Sequence, residues 1–240
     1  MSRSTARVYR IAPVNRLLEA FPKEDREILR PHMEEVTLDL HTPLIRPNEP
    51  IGDVWFPTTA LASLVTVLED GATVEGGSVG REGMVGIPVI LHARSTPMET
   101  VVQVPGTAYR VPAAALMERF EQSGAVRALL HRYVHSLFII ASQSTACNRK
   151  HQVVERFARW LLMSSDGIGS NEVTITHEYL ATMLGVRRPG VTDAALKLQD
   201  RGLITYRRGG TTIRDRPGLE EAACECYAAV KFEQDHVFDV

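Results

Sequence analysis

The sequence predicts an α+β chain made of an N-terminal antiparallel β-roll, a long central helix and a C-terminal winged helix-turn-helix. Three observations predict it. Short β-rich runs separated by turn residues fill residues 35–112, an uninterrupted amphipathic stretch runs from 124 to about 146, and residues 173–213 read as two short helices joined at a glycine and followed by a hairpin. Closely spaced short strands with no long helix between them favour a barrel or jelly roll. The expected division is 15–112 for the roll, 113–148 for the long helix and hinge, 149–217 for the winged helix and 218–240 for an acidic tail.

The glycine-centred stretch carries the most information. With Gly185 as the turn, Leu180, Ala181 and Leu184 precede it and Val186, Val191 and Ala194 follow it at the spacing of a small helix-pair core. Two helices crossing steeply need a small residue four before the turn, which Ala181 supplies, and the turn needs a positive φ, which glycine tolerates. Thr176 is placed to cap the first helix, Glu178 to complement its dipole, and Pro189 to occupy the first turn of the second. Residues 203–207 and 211–213, separated by Arg208-Gly209-Gly210, form a hairpin signal. An ordinary helix pair beside a decorative hairpin is the plainer alternative; the apolar spacing, cap and wing together favour the winged helix.

Charge is distributed unevenly behind a formal net of −2. Residues 149–216 hold 12 Lys+Arg against 7 Asp+Glu, whereas 217–240 hold 1 against 6. The basic segment is thus the winged helix, as a surface that approaches phosphates requires. Runs of about 18 apolar residues, which a membrane span needs, are absent, and the N-terminal arginines are not followed by an apolar signal core. Three cysteines cannot build a disulfide framework, so a reducing cytoplasm is expected. Nucleophile elbow, P-loop and paired-carboxylate patterns are also missing, so an enzyme is not expected.

In chain order, residues 15–33 suggest two short helices broken at Pro22. Strands are expected at 36–40, 54–56, 61–68, 73–74, 101–104 and 108–111. Gly80, Gly83 and Gly86 interrupt them at the one place in the roll where backbone is expected to be able to close around a ligand. The long helix carries two apolar stripes. Val126, Leu130, Tyr133, Leu137 and Ile140 follow coiled-coil spacing and are read as a dimer interface; Val134, Phe138 and Ala141 form a weaker stripe beside them. Two stripes suggest two neighbours, the roll and a symmetry partner, with one broad buried face as the alternative. Asn148, Arg149 and Lys150 are the expected hinge, 152–163 resumes as a helix ended by 164–171, and 219–230 is expected to be helical. Cys224 and Cys226 lack zinc-knuckle spacing and a second pair, so they read as small buried or surface residues. His131 and His135, one turn apart, have a spacing that can chelate a metal or haem; His135 is expected to face solvent and His131 to lie beside the stripe flanking the roll, and no metal site is assigned.

Taken together, β-roll, central helix and winged helix resemble the Crp/Fnr superfamily of bacterial transcription regulators over residues 15–215. The most specific matches are ITHEYLATMLG at 175–185, LQDRGLI at 198–204, and Pro105-Gly106 paired with the central helix. The resemblance implies a cyclic-nucleotide-binding-like sensor roll and a homodimer gripping a two-fold symmetric site on double-stranded DNA, with RNA polymerase as a further partner. Two departures matter. The family's Arg-Glu-x-x-x-Arg recognition pattern becomes Arg188-Pro189-Gly190-Val191-Thr192-Asp193, which keeps the first arginine and loses the cytosine-reading glutamate, so a different operator is expected. In the roll, the Gly-Glu-Leu turn becomes Gly83-Met84-Val85 and the phosphate-binding Arg-Ser/Thr pair becomes Met98-Glu99. A methionine and a carboxylate cannot hold a cyclic phosphate, so the usual cyclic AMP mode is not expected; Arg94-Ser95 is the substitute pair, which with Gly83 and Met84 makes the candidate effector site. The effector itself is not identified and no cofactor is implied. The N-terminal cysteine cluster of the iron-sulfur sensors is missing.

The resemblance and the helix geometry together nominate Arg187, Arg188 and Thr192 at the start of the recognition helix. Arg188 and Thr192, four apart, can both reach base edges. Arg187, Thr176 and His177 lie near helix N-termini, which favour phosphates, and Arg207 and Arg208 in the wing reach flanking backbone. Two other classes of function stay open: a small-molecule or metal sensor with weak DNA binding, motivated by Asp193, and a ligand-independent regulator answering to a protein partner, motivated by Met84 and Met98.

Overall fold

The computed structural model describes residues 14–69, 73–175, 177–207 and 209–239. The roll opens with α1 (Arg16–Glu19) and α2 (Lys23–Leu29), broken at Pro22 as expected. Asn15, almost fully buried, caps α1 by accepting from the Leu18 N–H, while its amide donates to the carbonyls of Pro57 and Gly83, both at 2.8 Å. One side chain thereby fastens the first helix to the roll.

Among the described residues, seven strands build the roll: β1 (Glu34–Leu38), β2 (Pro43–Ile45), β3 (Asp53–Pro57), β4 (Leu61–Val67), β5 (Thr73–Val79), β6 (Glu99–Val104) and β7 (Gly106–Pro112), with the one-turn helix α3 (Ile87–Ile90) between β5 and β6. They form two antiparallel sheets, ordered β1-β7-β3 and β2-β6-β4-β5. Alternate residues face inward; in β3, Val54 and Phe56 are buried and Trp55 is not. Strand β2 was not anticipated, because a three-residue run that begins at Pro43 and stops short of Pro47 carries too little periodicity to register. Strand β5 runs five residues beyond its expected end, through Gly76 and Gly77, whose low strand propensity hid it.

From the roll the chain passes through α4 (Ala113–Gln122) into the long helix α5 (Gly124–Lys150), whose N-cap Ser123 accepts from the Val126 N–H. Helix α5 includes Asn148, Arg149 and Lys150, so the expected hinge lies within it. Those residues are polar but compatible with a helix, and the break falls at His151, which turns to extended backbone before α6 (Val153–Ile168). Helix α6 runs beyond the expected stop to Gly169, which ends it in the left-handed region.

Beyond it lie β8 (Glu172–Val173), α7 (His177–Leu184), α8 (Arg188–Asp200), β9 (Ile204–Arg207) and β10 (Gly210–Ile213). The wing sheet is ordered β8-β10-β9. The segment read as an acidic tail is built into the fold as two helices, α9 (Arg216–Ala222) and α10 (Cys226–His236), so the single helix expected over 219–230 is broken at 223–225. Buried Leu219, Tyr227, Val230 and Val237 hold it in place, and Asp166, Arg216 and Tyr227 link α6, α9 and α10 through hydrogen bonds of 2.6–2.9 Å.

Separate cores fill the roll and the winged helix, yet Leu61 and Val104 of the roll belong to the winged-helix core. The two halves are therefore packed together. The Arg81 N–H donates to the Gly167 carbonyl at 2.8 Å, and Met183 of α7 reaches Ser63 of β4. No helix among the described residues is long and apolar enough to cross a membrane.

Candidate nucleic-acid interface and sensor cavity

Helices α7 and α8 meet at Gly185, whose φ of +59° is the conformation the turn required. Ala181 lies buried four residues earlier, and Val191, Ala194, Ala195 and Leu198 form the inward face of α8. The opposite face is open. Arg187 is the N-cap of α8, Arg188 its first residue and Pro189 lies in its first turn, and all three are exposed. Thr192 sits one turn on, half-buried, its hydroxyl donating to the Arg188 carbonyl at 3.3 Å. Among the described residues no carboxylate pairs with Arg187 or Arg188, so two guanidiniums and a 13-residue helix's positive end point to solvent together. Asp193 is exposed on the same face and is the one acidic interruption before Lys197.

The wing presents Arg207, exposed at the end of β9, and it is anchored to α8 where the Tyr206 N–H donates to Gln199 at 2.8 Å. Thr176 and Arg208 lie outside the described residues, and of His177 only its place at the start of α7 is described. The guanidinium of Arg156 on α6 donates to the carbonyl of Leu184, so the helix beneath the pair holds the turn in place.

The dimer-interface expectation for α5 is corrected by burial. Val126 and Leu130 are fully buried within this one chain, as are Tyr133 and Ile140 to within a few per cent, and Leu137 is half-buried; they pack against the roll and α4. The larger side chains took the larger buried surface, each contributing roughly 1.5–3 kcal/mol. What stays open is the weaker stripe, with Phe138 69% exposed, Ala141 exposed and Val134 half-buried. His131 and His135 both face solvent, the former edge-on to Phe120.

The candidate effector set is corrected too. Gly83 does not cradle a ligand: a Cβ there would lie 2.1 Å from the Tyr133 hydroxyl, which accepts from the Met84 N–H at 3.0 Å and donates to the Met84 carbonyl at 3.1 Å. The glycine turn is a clamp on α5. Arg94 and Ser95 are exposed and line no part of the roll's cavity; of the four residues only Met84 lines it. That cavity, about 330 Å³, lies between the roll and α5, walled by Ile45, Leu64, Leu91, Met98, Phe138 and their neighbours. Its polar contributions come from Ser78, Thr96 and Thr100, and none of its described lining residues is charged. Met84 and Met98, which motivated a protein-partner reading, are a buried residue and a cavity wall.

Sequence reasoning missed one cluster. Cys224 and Cys226, which the sequence left as buried or surface residues, are buried, and they are not isolated: Cys147 and His151, one turn apart at the end of α5, come to meet them. The Cys-x-x-x-His spacing in 147–151 was the available signal, overlooked because its complement lies some 75 residues away. A hydrogen bond from Cys224 holds the Cys147 thiol down at about 5, while that same contact and burial push Cys224 up.

Residues 155–222 match the family model for the Crp-like helix-turn-helix domain. No curated protein sequence matches the chain. Among solved structures the fold is similar to FixK2 from Bradyrhizobium japonicum (TM-score 0.68, 15% identity, covering 80% of this chain and 98% of that one). It is similar as well to a transcriptional regulator of the CRP family from Thermus thermophilus (0.64, 17%, 79% and 96%). A third is the c-di-GMP responsive global regulator CLP from Xanthomonas campestris (0.62, 17%, 80% and 99%).

Proposed function

Because residues 155–222 form a Crp-like helix-turn-helix domain set in the fold of the Crp/Fnr regulators, we propose that this chain is a transcription regulator that grips duplex DNA as a homodimer. The observation that carries the reading is the open N-terminus of α8, where Arg187 and Arg188 stand unpaired by any described carboxylate. In this reading Arg188 makes a bidentate contact with a guanine edge, Thr192 reads the neighbouring step, and Arg187 takes a phosphate at the helix end. Arg207 lies at the flank, where the wing reaches backbone; Thr176, His177 and Arg208 are assigned the same phosphate-facing role. The proline and aspartate at 189 and 193 make the operator differ from one read by an Arg-Glu-x-x-x-Arg helix.

The second subunit docks on the exposed face of α5 around Phe138. The effector is a neutral, largely apolar small molecule held between roll and α5, since a cavity without a charged wall offers a phosphate diester no counter-charge. Phe138 and Ala141 belong both to that wall and to the exposed stripe, so occupancy of the cavity bears directly on the dimer face.

Selection of bound duplexes from random DNA, followed by Arg188→Ala on the selected site, tests the assignment. The variant loses about 1–3 kcal/mol on that site and relaxes preference at one base position. An equal loss on random duplexes would make Arg188 a phosphate contact instead.

A further inference from the structure

We propose that Cys147, His151, Cys224 and Cys226 form a structural zinc site that staples the C-terminal helix to the end of the central helix. The four donor atoms all lie within 4.8 Å of one another, and the three cysteines are buried and free of disulfides. Zinc–sulfur and zinc–nitrogen bonds of about 2.3 and 2.0 Å in a tetrahedron place neighbouring donors about 3.5–3.8 Å apart. The Cys147 and Cys224 sulfurs are 3.5 Å apart, and the Cys226 sulfur lies 3.5 Å from His151 Nδ1. A disulfide would bring the first pair to about 2.0 Å, and a cluster of several irons would spread the sulfurs over different metal atoms. One tetrahedral ion is what this spacing fits.

The surroundings of the donors point the same way. His151 turns Nδ1 toward the sulfurs while its Nε2 meets the Glu225 carboxylate at 3.1 Å, the arrangement that fixes the tautomer of a metal-bound imidazole. Gln143 donates to the Cys226 sulfur at 3.1 Å, as a partner for a ligating thiolate should. Three thiolates on a divalent ion leave one negative charge, and Arg156 and Arg159, buried and hydrogen-bonded to Asn148 and Ser144 on the same end of α5, supply compensating cations. Four protein donors close the coordination sphere, which is the hallmark of a structural rather than a catalytic ion, and soft thiolate with imidazole selects zinc.

Position gives the ion its role. Cys147 and His151 bracket the point where α5 ends and the chain turns toward the winged helix; Cys224 lies in the break between α9 and α10, and Cys226 opens α10. A single ion therefore ties central helix, turn and C-terminal helix together, setting the direction in which the winged helix leaves α5.

Full-length protein purified under reducing conditions, without added chelator, is expected to carry one zinc per chain. Cobalt exchanged for it should give thiolate-to-metal charge transfer and the intense visible bands of a tetrahedral ion. Removal by a strong chelator with reductant present should lower Tm by at least roughly 5 °C, restored by zinc and not by magnesium. Cys226→Ser and His151→Gln should each lower zinc affinity; if either fails to fold, chelation and reconstitution of the unaltered chain gives the same reading. Substoichiometric metal with no cobalt spectrum overturns the site, as does iron with iron-sulfur absorption, or a Cys147–Cys224 disulfide in the freshly purified protein. None of these readouts depends on DNA, so failure of the metal site and failure of the regulator reading are distinguishable.

Discussion

Gly83 marks the limit of reading a residue from its type. A glycine in a loop between strands suggests room for a ligand, yet here the space is taken by Tyr133, reaching across from the central helix. Gly83→Ala is therefore expected to destabilise by about 2–3 kcal/mol, since its methyl and the tyrosine hydroxyl cannot coexist. Tyr133→Phe, which leaves the Met84 N–H and carbonyl buried without that partner, should cost about 1–3 kcal/mol. Denaturant unfolding measures both, and unchanged midpoints would make the clamp incidental. The aspects of the α7–α8 pair that sequence alone made legible were steric: a small residue at 181, a positive φ at 185, a proline in the first turn of α8. Each follows from one local constraint. The clamp at Gly83 and the cysteine cluster were not legible, because each depends on a partner some 50 to 77 residues distant.

At the scale of the element, the central helix teaches a second lesson. Its two stripes were visible in the sequence, but periodicity cannot assign neighbours to faces. The stripe of larger side chains went to the roll of the same chain, because that surface is always present and buries the greater area. The remaining face, centred on Phe138, stays exposed and is the one proposed for the second subunit. Phe138→Glu should then convert dimer to monomer in analytical ultracentrifugation while leaving the stability of the folded monomer within about 0.5 kcal/mol of the parent's. An unaltered dimer would place the subunit contact elsewhere. Strand β2 and the continuation of α5 through Lys150 were missed for related reasons: three residues starting at a proline give no period, and polarity by itself does not stop a helix.

Across the whole molecule, the contact between roll and winged helix contains a titrating group. Glu75 of β5 lies against α6, and burial raises its carboxyl from 4.5 to about 7, opposed by the Ser63 hydroxyl, the charge of Arg159 and the indole of Trp160. Between those two values the folded chain holds a proton that the unfolded chain has released. Stability consequently falls as pH rises through that window and levels off above it, by no more than ~3 kcal/mol, less whatever solvent access the side chain retains. Thermal unfolding across about pH 5 to 7.5 checks this, and Glu75→Gln should flatten the slope. A slope of opposite sign, or one unaffected by the substitution, would mean that the carboxyl stays ionised between the domains.

The domain order was legible at this scale because composition changes along the chain, from β-rich and neutral to helical and basic. How closely the halves pack was not, since Leu61 and Val104 read as ordinary strand residues until α6 covers them. The central claim is that two copies of the basic recognition helix occupy one duplex. Titration of a selected duplex with the full chain between about 50 and 200 mM salt tests it most directly. Two chains should bind each duplex and, for about six phosphate contacts, affinity should fall roughly a thousand-fold over that range. One chain per duplex, or no binding to any duplex even in the most dilute buffer, would contradict it.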